Sequence, residues 1–285
     1  MFPAAFDYYA PASLQEAVGL LGNGNKILAG GHSLLPLMKL RLAEPPALVD
    51  IGRIPGLDGI RDEGDTIVIG ARTTHAAIER SDLLRQKVPL LCQTAAVIGD
   101  LQVRSRGTIG GSLAHADPGG DFPAAIAALE AELTAVGPAG SRAIPVRDFF
   151  QGLMSTALAD TEILTEIRIK ALPPRTGTSY QKFANPASRY AIVGVAAVVT
   201  LGRDGTIGQA AIGITGLSDR AFRASAVESA LAGKRPVESD VAPAAEQADH
   251  GQDALGDIHA SERYRRHLSH VLTKRAVLEA AGRAG

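Results

Sequence analysis

Cysteine occurs once among the 285 residues, at Cys92, and tryptophan does not occur. A single thiol excludes a disulfide framework, a cysteine-ligated iron–sulfur cluster and a Cys-rich zinc site within the chain. Aromatic residues total 4 %, too few for the stacking platforms that hold single-stranded nucleic acid. An excess of charge of one sign is also missing. With 29 Lys+Arg against 30 Asp+Glu the formal net charge is -1, so no global field favours a polyanion, and nucleic acid is not an expected partner. The longest apolar run, Ala191 to Leu201, is interrupted by Gly194 and is about half a membrane span. Its Val and Ile content reads as a buried strand. The opening Met1-Phe2-Pro3-Ala4 lacks the basic and apolar regions of a signal peptide. A cytoplasmic chain, or one peripheral to the cytoplasmic face of a membrane, is expected.

What is present is the balance of a globular protein, 46 % hydrophobic and 21 % charged, long enough for two domains or one large one. Short apolar segments at 26–29, 47–51, 66–71, 133–136 and 162–170 read as strands. Between them, Thr74 is a helix cap, Pro89 starts a helix through Ile98, and a further helix runs over 123–132. The strand ending at Lys170 alternates, with Ile163, Thr165, Ile167 and Ile169 expected on one face. Ala171-Leu172-Pro173-Pro174-Arg175-Thr176-Gly177 breaks this pattern and is the best domain boundary. Three long strands follow, at 179–184, 191–201 and 207–215, and then helices over 221–231, 238–248 and 261–281. Strands followed by helices predict an α+β unit with its antiparallel sheet covered on one face.

Two glycine-rich segments stand out. One is Leu28-Ala29-Gly30-Gly31-His32-Ser33-Leu34-Leu35-Pro36. The other runs Thr108-Ile109-Gly110-Gly111-Ser112 through Ala114-His115-Ala116 to Asp117-Pro118-Gly119-Gly120-Asp121. Paired glycines bring backbone N–H groups close to a ligand, and neighbouring Ser or Thr hydroxyls add donors for phosphate oxygens. Either segment alone is equally well a turn that serves only folding. Two of them, each beside hydroxyl residues, point to a diphosphate held from two sides. Common nucleotide signatures are missing: Gly233-Lys234 is followed by Arg235, and Gly22-Asn23-Gly24 is followed at the third position by Ile27.

These two motifs, in this order and about eighty residues apart, resemble the FAD-binding medium subunits of the molybdenum hydroxylase (xanthine dehydrogenase/carbon monoxide dehydrogenase) family, most of all the carbon monoxide dehydrogenase type. The likeness extends through Tyr180-Gln181-Lys182-Phe183 and Ser188-Arg189-Tyr190-Ala191-Ile192-Val193 to the C-terminal helices. The fold it implies is α+β. A PCMH-type (vanillyl-alcohol-oxidase-like) FAD-binding domain of two α/β subdomains spans 1–175. A smaller domain with a three-stranded antiparallel sheet and helices spans 176–285. The implied cofactor is non-covalent FAD. Its diphosphate would lie between Ala29, Gly30, Gly31, His32, Ser33 and Leu34 on one side and Thr108, Ile109, Gly110, Gly111 and Ser112 on the other. Asp121 falls where the family accepts hydrogen bonds from the sugar-like portion, and Leu164 where backbone and apolar contact reach the ring. Lys182 falls beside the isoalloxazine, and Tyr190 against it.

The resemblance also implies partners: a large molybdopterin-binding subunit, a small [2Fe-2S] subunit, a dimer of such heterotrimers and an external acceptor such as a quinone. No residue of this chain need be a general acid or base, and no metal site is expected in it. The substrate alternatives are those of related nicotine, caffeine, xanthine and aldehyde dehydrogenases. A self-contained flavoprotein oxidoreductase and a non-catalytic nucleotide-binding scaffold are the rival classes. A Gly-Gly-His-Ser sequence also occurs in covalent flavoproteins, but those are longer and precede it with Arg-Ser, where Leu28-Ala29 stands here. Cys92 reads as inert core, and His267 and His270 as part of a solvated basic helix face with Arg263, Arg265 and Arg266. His75 and His115 fall near the motifs without an assigned role.

Overall fold

Residues 1–285 are described by a computed structural model. The first elements are β1 (Asp7–Tyr9), α1 (Leu14–Gly19), β2 (Lys26–Leu28), α2 (Leu34–Lys39) and β3 (Ala47–Asp50). The central strand β3 carries the buried Ala47, Leu48 and Val49, and β1 and β2 flank it in parallel. Ser13 accepts a hydrogen bond from Glu16 N, which fixes the start of α1. The helix then packs Ala17 with Val49, Ile51 and Ile54. The first glycine pair follows β2 directly, so it leaves the sheet at a strand end.

The next unit holds β4 (Ile60–Asp62), β5 (Thr66–Gly70), α3 (His75–Arg80), α4 (Asp82–Lys87), α5 (Pro89–Ala96), α6 (Leu101–Arg106), α7 (Ile109–His115) and α8 (Asp121–Ala128). It closes with β6 (Glu132–Gly137), β7 (Gly140–Pro145), a hairpin of β8 (Phe150–Gly152) and β9 (Ser155–Thr156), and β10 (Ile163–Lys170). Its sheet is antiparallel in the order β4-β5-β10-β6-β7. Thr74 and Asp100 cap α3 and α6 through Ala77 N and Val103 N, and Pro89 opens α5. The expected alternation of β10 is broken by a register shift between Leu164 and Glu166 against β6, and Leu164 is buried together with Ile163 and Thr165. A bulge puts adjacent side chains on one side of a strand.

Beyond residue 175 come β11 (Thr176–Ala184), β12 (Ala191–Leu201), β13 (Ile207–Thr215), β14 (Phe222–Arg223), α9 (Ser225–Leu231), α10 (Glu238–Ala245) and α11 (Glu262–Gly282). The expected helix over 221–231 begins only at Ser225, because Phe222 and Arg223 pair with Ile214 and Gly213 and add a short fourth strand. The sheet runs β11-β12-β13-β14.

One-sided cover of this sheet was the expectation, and the structure corrects it. Alternate residues of β12 belong to different cores. Val195, Ala197 and Val199 pack under the C-terminal helices, whereas Ala196 and Val198 join the core that contains α5 and α8. Cover on both faces is why Ala191 to Val199 is an unbroken buried run. The sheet is thus shared, and its far face is part of the core of the preceding unit.

Arg265 gives a second correction. It is buried, 5 % exposed, and not on a solvated face. From α11 it donates to Ile192 O at 2.6 Å and Gly216 O at 2.7 Å, and it pairs with Asp257 at 2.6 Å. The guanidinium suits this place because it reaches three acceptors in fixed directions. Replacing Arg265 with Met leaves two carbonyls and a carboxylate without that donor. Urea unfolding should show a loss on the order of 3 kcal/mol, and hydrogen exchange should speed up around residues 190–193 and 214–218. Unchanged stability would show that the buried guanidinium contributes nothing net.

Candidate functional site

The two glycine segments meet through their backbones. Gly30 lies against Arg106 and Gly107 so closely that a Cβ there would overlap the Arg106 carbonyl and stand 3.0 Å from Gly107 Cα. Gly31 follows at φ +79, a conformation that side chains resist. The sequence therefore has glycine where the two segments touch and where the first one turns.

The hydrogen-bonding states of the two loops differ. Backbone N–H groups of Ala29, Gly30, Gly31, His32, Ser33 and Leu34 have no acceptor within the protein. Six successive free donors next to a strand end form an anion-binding concavity. On the second loop, Ile109 N donates to Thr73 O, Gly110 N to Ala71 O, Ser112 N to Thr108 O and Gly111 N to the Thr108 hydroxyl. The expectation that both loops offer free amides is therefore corrected. The second loop spends its amides on the fold, because Thr108 caps α7 and the segment is laced to Thr73 and Ala71. What it still offers are hydroxyl protons, from Thr108 and Ser112. Ser33 adds another across the crevice; its side chain does not cap α2 and lies beside the Tyr190 hydroxyl.

The remaining residues are carried by the Asp117–Asp121 segment and the C-terminal domain. Pro118 O accepts from Gly216 N at 2.6 Å and from the Thr215 hydroxyl at 2.6 Å, which also donates to Gly120 O at 2.8 Å. Gly119 O accepts from Ala191 N at 3.0 Å. The Asp-Pro-Gly-Gly-Asp motif is thus a clamp between domains. Tyr190, 41 % exposed, stands beside it. Partial burial pushes its hydroxyl up, the Asp117 charge adds to this, and the neighbouring Ser33 side chain acts in the opposite sense. Tyr190 therefore bridges from the C-terminal domain toward the first loop.

Asp121, 5 % exposed, opens α8. Its Oδ1 accepts from the Tyr180 hydroxyl at 2.7 Å and its Oδ2 from Lys182 Nζ at 2.8 Å. Lys182 Nζ also donates to Val97 O at 3.2 Å. Burial pushes the Asp121 carboxyl up, while the Lys182 charge and the Tyr180 hydroxyl oppose that. From the sequence, Asp121 and Lys182 have separate ligand contacts, and their pairing with each other is not foreseen. They lie 61 residues apart, and no local pattern signals the contact. Leu164, 5 % exposed, is in the core beside Thr165, whose carbonyl accepts from Ala71 N at 2.8 Å. Ala71 in turn accepts from Gly110, so β10 is two hydrogen bonds from the second loop.

Of the unassigned histidines, His75 belongs at this site by position and His115 less so. His75 N donates to Gly107 O at 2.9 Å, and its buried ring stacks obliquely on Phe122 at 5.2 Å. His115 ends α7, 3.9 Å from Asp117. Of the other polar groups, His270 Nε2 pairs with Asp249 at 2.8 Å, and Cys92 is buried.

This geometry fits a ligand with a central diphosphate. A crevice between two loops offers free amides on one wall and hydroxyls on both, and a cross-domain tyrosine stands over it. Residues 4–171 match the family model described as the FAD binding domain in molybdopterin dehydrogenase, and residues 178–280 match the CO dehydrogenase flavoprotein C-terminal domain. The chain belongs to this family of FAD-binding subunits of molybdenum hydroxylases, and it is an oxidoreductase subunit. It is 41 % identical over 280 residues to the carbon monoxide dehydrogenase medium chain of Hydrogenophaga pseudoflava, covering 97 % of each. It is 37 % identical to the 6-hydroxypseudooxynicotine dehydrogenase complex subunit alpha of Paenarthrobacter nicotinovorans, covering 100 % of this chain and 97 % of the relative. Quinoline 2-oxidoreductase from Pseudomonas putida 86 superposes with a TM-score of 0.94 at 36 % identity, covering 100 % of this chain and 99 % of that one. No helix is long and apolar enough to cross a membrane.

The buried groups of the site can be probed one at a time. Lys182→Met leaves the Asp121 carboxylate buried without its cation and should cost about 3 kcal/mol. Adding Asp121→Asn should restore most of that loss in a double-mutant cycle of urea midpoints; a purely additive result would deny the pairing. The imidazole of His75 is lowered from 6.5 to about 4, by burial first and then by His32 and Arg104. Its contribution to stability is full above pH 6.5 and is lost as pH falls toward 4, because only the unfolded chain takes the proton in that window. His75→Leu should flatten this part of the stability–pH curve, and an unchanged slope would contradict the burial argument.

Proposed function

We propose that this chain is the FAD-carrying electron-transfer subunit of a heterotrimeric molybdenum hydroxylase of the aerobic carbon monoxide dehydrogenase type. It would pass electrons from the [2Fe-2S] clusters of a small partner to an external acceptor such as a quinone. A large molybdopterin-binding partner would oxidise the substrate, and the heterotrimer would be duplicated by twofold symmetry. The observation that carries this reading is the run of six free amides, Ala29 to Leu34, packed against the second loop at Gly30. Full-length similarity to subunits of this kind, and a single cysteine that leaves no ligands for a cluster, support the division of labour.

Each residue then has a physical task. The amides of 29–34 and the hydroxyls of Ser33, Thr108 and Ser112 hold the diphosphate. Ile109, Gly110 and Gly111 shape the wall by their backbone path. Asp121, paired with Lys182 and Tyr180, accepts from hydroxyls of the sugar-like portion. Lys182 supplies positive charge on the ring side, moderated by its partner. Leu164 offers apolar backing to the ring. Tyr190 covers the ring from the C-terminal domain and limits what approaches it. His32 serves as a loop residue, with no bond to the flavin. Bound FAD would exchange electrons singly with a cluster and singly or in pairs with an acceptor. We place the boundary of the FAD-binding domain at 175, with the C-terminal domain over 176–285.

Purifying the chain alone tests this reading. It should carry one extractable FAD, and that flavin should stay oxidised with carbon monoxide until both partner subunits are added. Reduction by a substrate in the absence of partners would replace the relay with a self-contained oxidoreductase. A colourless chain that takes up no FAD would remove the flavin reading.

A further inference from the structure

Gly194 stands inside β12 between Val193 and Val195, where a β-branched residue would serve the strand better. It has no positive φ to account for it, so the reason is space. A Cβ there would stand 2.5 Å from the Tyr180 hydroxyl and 3.0 Å from Thr215 Cγ2. Gly194 pairs with Lys182 of β11 on one side and with Thr215 of β13 on the other, and cross-strand partners share a face of the sheet. The gap in β12 therefore receives side chains from both neighbouring strands.

Both of those side chains grip the same segment. The Thr215 hydroxyl donates to Pro118 O and Gly120 O, and the Tyr180 hydroxyl donates to Asp121 Oδ1 at 2.7 Å. Lys182 takes the other carboxylate oxygen at 2.8 Å. Tyr180 and Lys182 are two residues apart on β11, hence on one face, and together they hold the carboxylate by both oxygens. Their contributions differ. Lys182 brings charge on a flexible four-carbon stem, whereas Tyr180 is a stiff ring, 8 % exposed, seated in the Gly194 gap. Burial first, and then the Asp121 charge, push its phenol well above the usual value, so it stays a donor. A carboxylate has about four acceptor positions, so these two donors leave it capacity for a ligand. The Asp117 and Asp121 charges both reach Tyr190, whose hydroxyl lies beside Ser33 of the first loop, and Asp121 therefore borders the crevice.

We propose that Tyr180, housed by Gly194, is a positioning residue for the flavin half of the ligand: it fixes the plane of the Asp121 carboxylate and takes no part in holding the diphosphate. The inference deepens the FAD reading and rests on it. The site then has two separately built halves. Backbone amides of 29–34 take the diphosphate, and a carboxylate oriented from the C-terminal sheet takes the hydroxyls between diphosphate and ring. Without the phenol, the carboxylate is free to turn about its Cβ–Cγ bond toward Lys182, and its acceptors no longer match the ligand hydroxyls.

The test is titration of the flavin-stripped full-length chain with FAD, followed by flavin fluorescence, and with ADP as competitor. ADP has the diphosphate but neither the sugar-like chain nor the ring. Tyr180→Phe should bind FAD about tenfold more weakly, and ADP within about twofold of the parent. Tyr180→para-aminophenylalanine restores a donor at the same place and should return FAD affinity to within about threefold of the parent. In an Asp121→Asn background the loss from Tyr180→Phe should shrink below about twofold, because no carboxylate is left to orient. Gly194→Ala, whose Cβ displaces the phenol, should show the same FAD-selective loss and serves in its place if Tyr180→Phe does not fold. Parent-like FAD affinity in Tyr180→Phe overturns the proposal. An equal loss for FAD and ADP, or an undiminished loss in the Asp121→Asn background, also overturns it, since the hydroxyl would then only hold the fold. A parent chain that takes up no FAD would fail the functional reading itself, which is a separate outcome from parent-like FAD binding by Tyr180→Phe.

Discussion

Backbone contact between Gly30 and the Arg106–Gly107 peptide is the constraint on which the site depends. Two loops from different subdomains touch where no side chain fits, and this holds a row of six unpaired amides open beside a strand end. Free backbone donors are costly when buried, so the row must face either water or an anion. The neighbouring loop has bonded its amides from Ile109 to Ser112 within the fold and acts as a stiff wall. The asymmetry has a simple physical sense: one side binds and the other keeps its shape.

A second level of organisation joins the cofactor domain to its cover. The C-terminal sheet carries helices of both domains, one set on each face, so the two domains share core and do not merely abut. At the rim of that sheet, the carbonyls of Pro118, Gly119 and Gly120 are bonded to the ends of β12 and β13, and Asp121 reaches Tyr180 and Lys182 on β11. Buried ion pairs add little net stability but penalise misplacement strongly. This one fixes the register between the first turn of α8 and β11, which brings Tyr190 over the first loop.

Much of this was legible in the chain. The glycine pairs, the Thr74 cap, the Pro89 helix start and the three long C-terminal strands follow from local rules, and the order of the two motifs resembles one family. What was not legible depends on distant contacts. Arg265 sits in an apparently basic helical stretch, and only the approach of Ile192 and Gly216 shows that it is buried. The pairing of Asp121 with Lys182 joins two elements that no periodicity links. Two-sided cover of β12 was hinted at by its unbroken apolar run, but the helices on its far face come from the other domain. The spent amides of Ile109 to Ser112 became visible only when Ala71 and Thr73 were placed beneath them. His75 gave no signal beyond its nearness to Thr74.

In this account the flavin is positioned by the protein, and the substrate is left to a partner. Cofactor position in turn rests on the first loop. Amide hydrogen exchange with and without FAD tests that directly. The amides of Ala29 to Leu34 should change from fast to strongly protected on FAD binding, while those of Ile109 to Ser112, already bonded, should be slow in both states. Tight FAD binding that leaves 29–34 in fast exchange would contradict the account, because the diphosphate would then lie elsewhere.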